Sequence, residues 1–147
     1  MVYSPYNWQD NTTVVNATRM NAIEAVLAHC DIKLVTVTHD ISVTGDQAIT
    51  GAGFAPKGYI LLATTNAGVG QTSIFVHDGT TQNGLISKDT AGAWTSASDS
   101  VAYIMVAGGT TFAKAVPKTL DSDGTTITWS KTGSPTGTAT LTFLFFR

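Results

Sequence analysis

Two clusters in the sequence carry side chains that catalysis or metal binding requires. Ser73 and His77 share one face of a predicted strand and Asp78 follows directly, so a nucleophile and a base are superficially present. No Gly-x-Ser-x-Gly turn accompanies them, and no segment offers an oxyanion hole. The Asp78-Gly79 pair is instead typical of a turn. The sequence therefore argues against catalysis at this point.

The second cluster is Asp-Ser-Asp-Gly at residues 121–124, which is similar to the start of a calcium-binding loop. A complete loop needs a bidentate Glu at its twelfth position, where this chain has Thr132. A hairpin turn explains these four residues better. His29, His39 and Cys30 lack the spacing of zinc ligands. We therefore predict no metal and no cofactor.

The elements that must position these residues fall into two domains. Residues 1–31 form an extended arm followed by a short helix over 16–30, which is rich in good helix formers and begins at a capping Asn. Residues 32–147 change to short strands and turn residues spaced about ten apart, a pattern typical of a β-sandwich. The predicted fold class is mainly β, with a jelly-roll-like sandwich after the arm and helix.

Nine strands are predicted in the second domain, and two of them are apolar on both faces. The strand over 139–146 places Leu141, Phe143 and Phe145 on one face and Leu144 and Phe146 on the other, so its second face needs a cover. The strand over 101–107 has the same character. The predicted strands span 32–38, 41–44, 58–64, 73–77, 84–88, 101–107, 112–118, 125–131 and 139–146.

The predicted helix has one apolar stripe. Met20, Ile23, Leu27 and Cys30 recur at spacings of 3, 4 and 3, which places them on one side. A helix of this length is marginal alone, so the stripe must pack on something. It forms either a short seam between copies of the chain or a contact with the chain's own sheet, and four positions are too few to fix an oligomeric state.

The composition excludes several functional classes. Charged residues make up 12% of the chain, against a typical share of about 25%. Eight Lys and Arg stand against ten Asp and Glu, so there is no basic excess for binding nucleic acid. A net charge of -2 gives little repulsion between copies, and such surfaces tend to associate. No segment reaches the ~20 apolar residues of a membrane helix, so we expect no membrane insertion.

Two further features concern where the protein is made and what it contacts. The first ten residues lack the basic and apolar regions of a signal peptide, and a single cysteine cannot form an internal bridge, so we expect synthesis in a reducing cytoplasm. Among the aromatic residues, Tyr103 and Trp129 lie in apolar alternation and are predicted to belong to the core. Trp94 has no such context and is the best candidate for an exposed contact.

Two segments resemble bacteriophage structural proteins. Trp8-Gln9-Asp10 followed by VNATRMNAIE at 15–24 resembles the opening of many phage tail, fibre and baseplate proteins, where it forms an arm and a short helix near the attachment end. Residues 53–60 and 121–137 are similar to a small β-domain of phage structural proteins. The helix runs almost directly into the β-domain, which favours a short spike, a decoration protein or a fibre knob over a long shaft.

The resemblance implies a non-enzymatic virion protein, attached by its arm and helix to other virion proteins and self-associating as a homotrimer. Head or tail placement stays open. Aromatic anchors dominate interface energetics, and this selects the attachment residues. The residues predicted for attachment are Tyr3, Tyr6 and Trp8, and those for self-association are Met20, Ile23, Leu27, Phe143 and Phe145.

Two alternatives remain at this point. The chain is a receptor-binding module that recognises a host-surface glycan through Trp94, His77 and Asp78, because an exposed aromatic ring stacks on sugar rings. Alternatively, it is a small hydrolase acting on a cell-wall or capsule polymer, which requires paired carboxylates or an activated nucleophile. The only Glu, Glu24, lies on the predicted helix, so the hydrolase is the least favoured hypothesis.

Overall fold

Two compact units divide the chain, Met1–Cys30 and Asp31–Arg147. The fold is described from a computed structural model. It describes residues 17–27, 31–65, 71–87, 94–107 and 110–147.

In the first unit the structure describes one helix, α1, at Ala17–Leu27. It lies within the predicted span of 16–30, of which positions 16 and 28–30 are outside the described residues. The stripe residues Met20, Ile23 and Leu27 are 43%, 43% and 62% exposed, so the apolar side of α1 presents a large part of its surface. Cys30, the fourth predicted stripe position, lies outside the described residues.

The second unit is built from ten strands. Short runs rich in Val, Ile, Thr and aromatic residues form them, as β-branched and aromatic side chains fit a pleated, half-buried surface. The strands are β1 (Ile32–Asp40), β2 (Gly45–Thr50), β3 (Gly58–Thr65), β4 (Thr72–His77), β5 (Gln82–Ser87), β6 (Trp94–Ala97), β7 (Ala102–Ala107), β8 (Thr111–Asp121), β9 (Gly124–Thr132) and β10 (Thr138–Phe146).

The strands form two antiparallel sheets that share one core. The six-stranded sheet has the order β1-β10-β3-β4-β5-β6, and the four-stranded sheet has the order β2-β9-β8-β7. Inward side chains of both sheets belong to a single buried cluster, so the sheets pack face to face as a sandwich. The prediction of a mainly β chain with one short helix before a β-sandwich is confirmed for the described residues.

A paired ribbon connects the two sheets in the manner of a jelly roll. β1 pairs with β10 in the large sheet, and their continuations β2 and β9 pair in the small one. The ribbon changes sheet at residues 41–44 and 133–137, where the Ile41 N–H donates to the carbonyl of Gly137 at 3.1 Å. The inner strands differ from a full jelly roll, because β3 to β6 and β7 to β9 form simple meanders.

This corner explains why the predicted strand over 41–44 is wrong. The Asp40 carboxylate accepts the Ser42 N–H at 2.9 Å, and the Val43 N–H donates to the Asp40 carbonyl at 3.0 Å, so these residues form a turn. Ile41 is fully buried at the corner. An apolar residue in a β-branched run was therefore mistaken for a strand, whereas β2 begins after the turn, at Gly45.

The predicted strand over 84–88 starts too late, since Asn83-Gly84 lies inside β5, which begins at Gln82. Gly84 pairs with Phe75, and a Cβ at Gly84 would stand 2.3 Å from the Phe75 ring and 2.3 Å from the carbonyl oxygen of Ile74. Glycine is present because the aromatic ring occupies the space of a side chain, not because a turn requires it. The short edge strand β6 was missed altogether, since its four residues WTSA carry no apolar alternation.

Candidate functional site

The outward-pointing residues of the six-stranded sheet form a surface of aliphatic and hydroxyl side chains, here called the apolar face. Alternation along each strand sends Leu61 and Phe75 into the core and their neighbours outward. Antiparallel register then aligns the outward residues in rows across the sheet. One row reads Leu34, Leu144, Ile60, Val76 and Asn83, and the next reads Thr36, Thr142, Leu62, Ile74, Leu85 and Ser96.

The apolar side chains of this face are open to solvent to an unusual degree. Seven aliphatic residues are between 38% and 68% exposed, and Leu144 and Phe146 are half-buried beside them. Together they present on the order of 600 Å² of apolar surface, the upper end of the largest patch found on a typical monomer. The seven residues are Ile32, Leu34, Ile60, Leu62, Ile74, Val76 and Leu85.

The apolar face carries no charged residue on the five strands from β10 to β6. None of the outward positions of β10, β3, β4, β5 and β6 is Asp, Glu, Lys or Arg, and on β1 the outward charge is Asp40 at the end of the strand. Threonines border the aliphatic residues, among them Thr38, Thr64 and Thr140. Contact with water is unfavourable for apolar surface of this kind, and without charges the face does not repel a second apolar surface.

The outward positions of the four-stranded sheet, here called the polar face, are different. A β-bulge between Pro117 and Thr119 leaves Lys118 without an opposite residue in β9. Its ammonium group forms an ion pair with the Asp46 carboxylate on β2, which also accepts the Thr128 hydroxyl at 2.6 Å. These hydrogen bonds, that of Lys118 first, lower the pKa of Asp46 below its ordinary value of 3.8.

A second ion pair lies on the same side of the sandwich. The Lys114 ammonium donates to the Asp99 carboxylate at 2.9 Å, and this bond lowers the pKa of Asp99. The Ser130 hydroxyl donates to the carbonyl of Lys114. Polar groups on this face therefore satisfy one another within a single chain, which is typical of a surface that faces water.

The two phenylalanines predicted for self-association need correction. Phe143 and Phe145 are fully buried inside one chain, where they stack on each other with ring centroids 5.3 Å apart and contact Tyr59 edge-on. They have no free surface to offer a second copy. The opposite face of β10 carries Leu144 and Phe146, and it is that side of the strand which belongs to the apolar face.

His77 is also corrected as a receptor contact, because its ring is 6% exposed. Its Nδ1 bonds to the carbonyl of Thr81 at 3.0 Å, and its ring lies against Tyr59. Asp78 is exposed, but its carboxylate accepts the Thr80 and Thr81 N–H groups and the Thr81 hydroxyl. These bonds, led by the Thr81 N–H, lower the pKa of Asp78 to about 2. Both side chains therefore hold the β4–β5 turn.

Trp94, the third predicted receptor contact, is 53% exposed. Trp94 lies on the edge strand β6, where it pairs with Ser87 of β5. It is two residues from the outward Ser96 and therefore lies on the apolar face. Ser73, which shares a strand face with His77, is buried. Its hydroxyl oxygen accepts the Tyr103 N–H at 3.0 Å, and this bond joins the two sheets. The attachment residues Tyr3, Tyr6 and Trp8 lie outside the described residues.

The calcium-like segment is a hairpin turn, as the sequence favoured. Asp121 pairs with Gly124 at the end of the β8–β9 hairpin. The Asp123 carboxylate accepts the N–H groups of Gly51 and Gly53 and so fixes the β2–β3 connection. Among the described residues, no three His, Cys, Asp or Glu side chains lie close enough together to hold a metal ion.

One small depression lies beside the β4–β5 turn. It has a volume of about 200 Å³ and is lined by residues of that turn and of the bulged part of β8, among them His77, Thr80 and Leu120. Since His77 and the turn residues bond to one another, we assign this depression no chemical role.

Comparison with known proteins adds no further assignment: no family model matches the chain, no curated protein matches it, and no solved structure matches its fold. In the described part of the chain, α1 has eleven residues and is too short to cross a membrane as a helix.

Most of the apolar face was not predicted from the sequence. The signal was present in β3 and β4, where Tyr59-Ile60-Leu61-Leu62 and Ile74-Phe75-Val76 are apolar on consecutive residues. Such runs mark strands that are covered on both sides. Two-sided character was recognised in the strands over 101–107 and 139–146 and not in these two.

Proposed function

We propose that this chain is a non-enzymatic structural protein of a bacteriophage particle, in which the sandwich is an assembly module. The observation that carries the proposal is the apolar face, whose exposed aliphatic surface is at the upper end of the range found on a single chain, where such patches often mark interaction sites. The resemblance of residues 8–24, 53–60 and 121–137 to phage structural proteins supports the same reading.

Each part of the chain has a role in this proposal. The arm with Tyr3, Tyr6 and Trp8, together with α1, attaches the protein to other virion proteins. The exposed stripe of α1, with Met20, Ile23 and Leu27, takes part in self-association. The sandwich projects as a short fibre, spike or decoration and self-associates, as a homotrimer by the resemblance. The place of the protein is thus the virion, after synthesis in the host cytoplasm.

The test is to find the chain in particles and to map its attachment. Mass spectrometry and electron microscopy of purified particles, with a label at Arg147, should place the protein at regular positions on intact virions. Deletion of residues 2–15 should abolish incorporation and leave self-association unchanged. Absence of the protein from washed, infectious particles would overturn the proposal, and normal incorporation of the deletion variant would overturn the role of the arm.

A second candidate function is recognition of a host-surface glycan by Trp94, supported by the exposure of its ring at the edge of the sheet. An exposed indole beside polar Thr95 and Ser96 fits the face of a sugar ring. Trp94→Ala should then lower adsorption to host cells about tenfold or more with particle assembly unchanged, whereas Ser98→Ala, just beyond β6, should have no effect. Equal adsorption of the Trp94 variant and the wild type would remove this candidate.

A further inference from the structure

We infer that the apolar face is covered by the same face of other copies of this chain, an inference that rests on the proposed assembly function and names the partner of its surface.

The chemistry of the face favours an identical partner. In a contact between identical faces, a charged group on one copy lies close to the same group, or to groups of the same face, on the other copy. Repulsion between like charges then opposes association. The outward positions of the five strands from β10 to β6 carry no charge, and the charged outward position of β1 is Asp40, at the end of the strand. Lys33, on the inward side of the same edge strand, is exposed. Aliphatic and threonine side chains bring no like-charge repulsion to a contact between identical faces. The charge distribution of the face therefore favours its own copy as a partner.

The geometry of the face also suits sheet-on-sheet contact. Its rows run straight across neighbouring strands, since β10, β3 and β4 pair residue for residue without a bulge. In the proposed homotrimer, three copies of the face meet around one three-fold axis, and the outward side chains of regular sheets interdigitate in such a contact. Leu62 and Ile74 are directly opposite each other in the middle of the face, and they would occupy the centre of such a contact.

The size of the face meets the requirement of a stable contact. Its aliphatic groups alone present on the order of 600 Å², and specific interfaces bury about 800 Å² on each partner. The threonine border and Trp94 supply the remainder. The polar face offers no comparable surface, because its ion pairs and hydroxyl groups already bond within the chain.

The decisive variant is Leu62→Lys combined with Ile74→Glu in the full chain. Because the two positions are cross-strand partners, the new charges stabilise each other within one sheet and leave the net charge unchanged. Between copies, however, they must be desolvated. We expect association to weaken about 100-fold or more, as measured by sedimentation velocity and native mass spectrometry over a range of concentrations.

The matched control places the same kind of charge pair on the polar face. Ala48→Glu combined with Thr126→Lys changes two cross-strand partners there, with the new Lys near Asp121. This variant should associate like the wild type. Circular dichroism checks that both variants are folded. If the first is not, Leu62→Thr with Ile74→Thr replaces it, since threonine is favoured in strands, and about a tenfold weakening is then expected.

Two results would overturn the inference. The first is a wild-type protein that stays monomeric at about 100 μM, a concentration well above the dissociation constant that an interface of this area normally has. The second is equal association of the wild type and the folded face variant. The outcome for the proposed function is separate. Face-dependent association without incorporation into particles keeps the inference and removes the phage assignment. Full incorporation of a folded charged variant that associates like the wild type keeps the assignment and removes the inference.

Discussion

The two outward faces of the sandwich have the same backbone geometry and opposite chemistry. On the small sheet, the Asp46 carboxylate accepts hydrogen bonds from the Lys118 ammonium and the Thr128 hydroxyl, and a bulge leaves Lys118 without an opposite residue. On the large sheet, Leu62 and Ile74 occupy equivalent outward positions, and the residues opposite them, Thr142 and Leu85, are uncharged. A sandwich that faces water on both sides has polar residues at the outward positions of both sheets. The difference between the two faces therefore supports the proposal that the apolar face is covered in an assembly.

This contrast teaches where the energy of each face is used. The groups of the polar face contribute to the stability of the monomer through local hydrogen bonds, and exposed ion pairs of this kind contribute modestly. The aliphatic side chains of the apolar face contribute less to the stability of the monomer than core side chains do, because 38% to 68% of their surface stays exposed in the folded chain. In the proposed contact between copies, burial of this surface stabilises the assembly.

The largest effect should separate the inward and outward sides of one strand. Leu61→Ala should lower the free energy of unfolding by about 2–5 kcal/mol, since Leu61 is fully buried and its removal leaves a cavity. Leu62→Ala, one residue away and outward, should cost about 1 kcal/mol or less in the monomer. Urea unfolding at concentrations below self-association measures both, and equal losses would contradict the assignment of the two faces.

The second effect concerns matched valines on the two outward faces. Val76→Thr buries a hydroxyl group without a partner in the proposed contact, so association should weaken about tenfold. Val116→Thr makes the same change between Lys114 and Lys118 on the polar face and should leave association unchanged. Dilution series in analytical ultracentrifugation measure both variants. A larger loss for the Val116 variant would reverse the comparison.

The third effect is a dependence on pH that belongs to the polar face. The pKa of Asp46 is lowered in the folded state, so its ion pair stabilises the protein above the ordinary value of 3.8 and loses this effect as the pH falls through the folded value. Asp46→Asn should therefore lower the melting temperature at pH 7 slightly, since the pair is exposed to solvent. The difference between variant and wild type should shrink as the pH falls below 3.8, and a constant difference would contradict the proposed cause.

The smallest effect is the response of association to salt. A contact without charges should change less than about twofold between 0.05 and 0.5 M NaCl, because screening acts on charged groups. Ammonium sulfate should strengthen association, because it favours apolar burial. Sedimentation equilibrium in both salts gives the measurement. A tenfold loss in NaCl would show that charged groups outside the apolar face hold the copies together.

Local patterns in the sequence were sufficient for much of the fold. The apolar alternation around Trp129 predicted the strand over 125–131, and the residues at 121–124 predicted a hairpin turn, since both depend on side-chain periodicity and on turn chemistry alone. Gly84 and the turn over 41–44 were misread, because local patterns do not show contacts between strands. The Phe75 ring on the neighbouring strand decides the first, and the sheet corner where Ile41 bonds to Gly137 decides the second.

The residues of β10 show where the sequence stops and the tertiary structure begins. A period of two established that Phe143 and Phe145 share one face and that Leu144 and Phe146 share the other, because successive side chains of a strand point to opposite sides. It gave no means of telling which face is the core, since both are apolar. That choice was made by the second sheet, which packs on Phe143 and Phe145 and leaves the other face exposed.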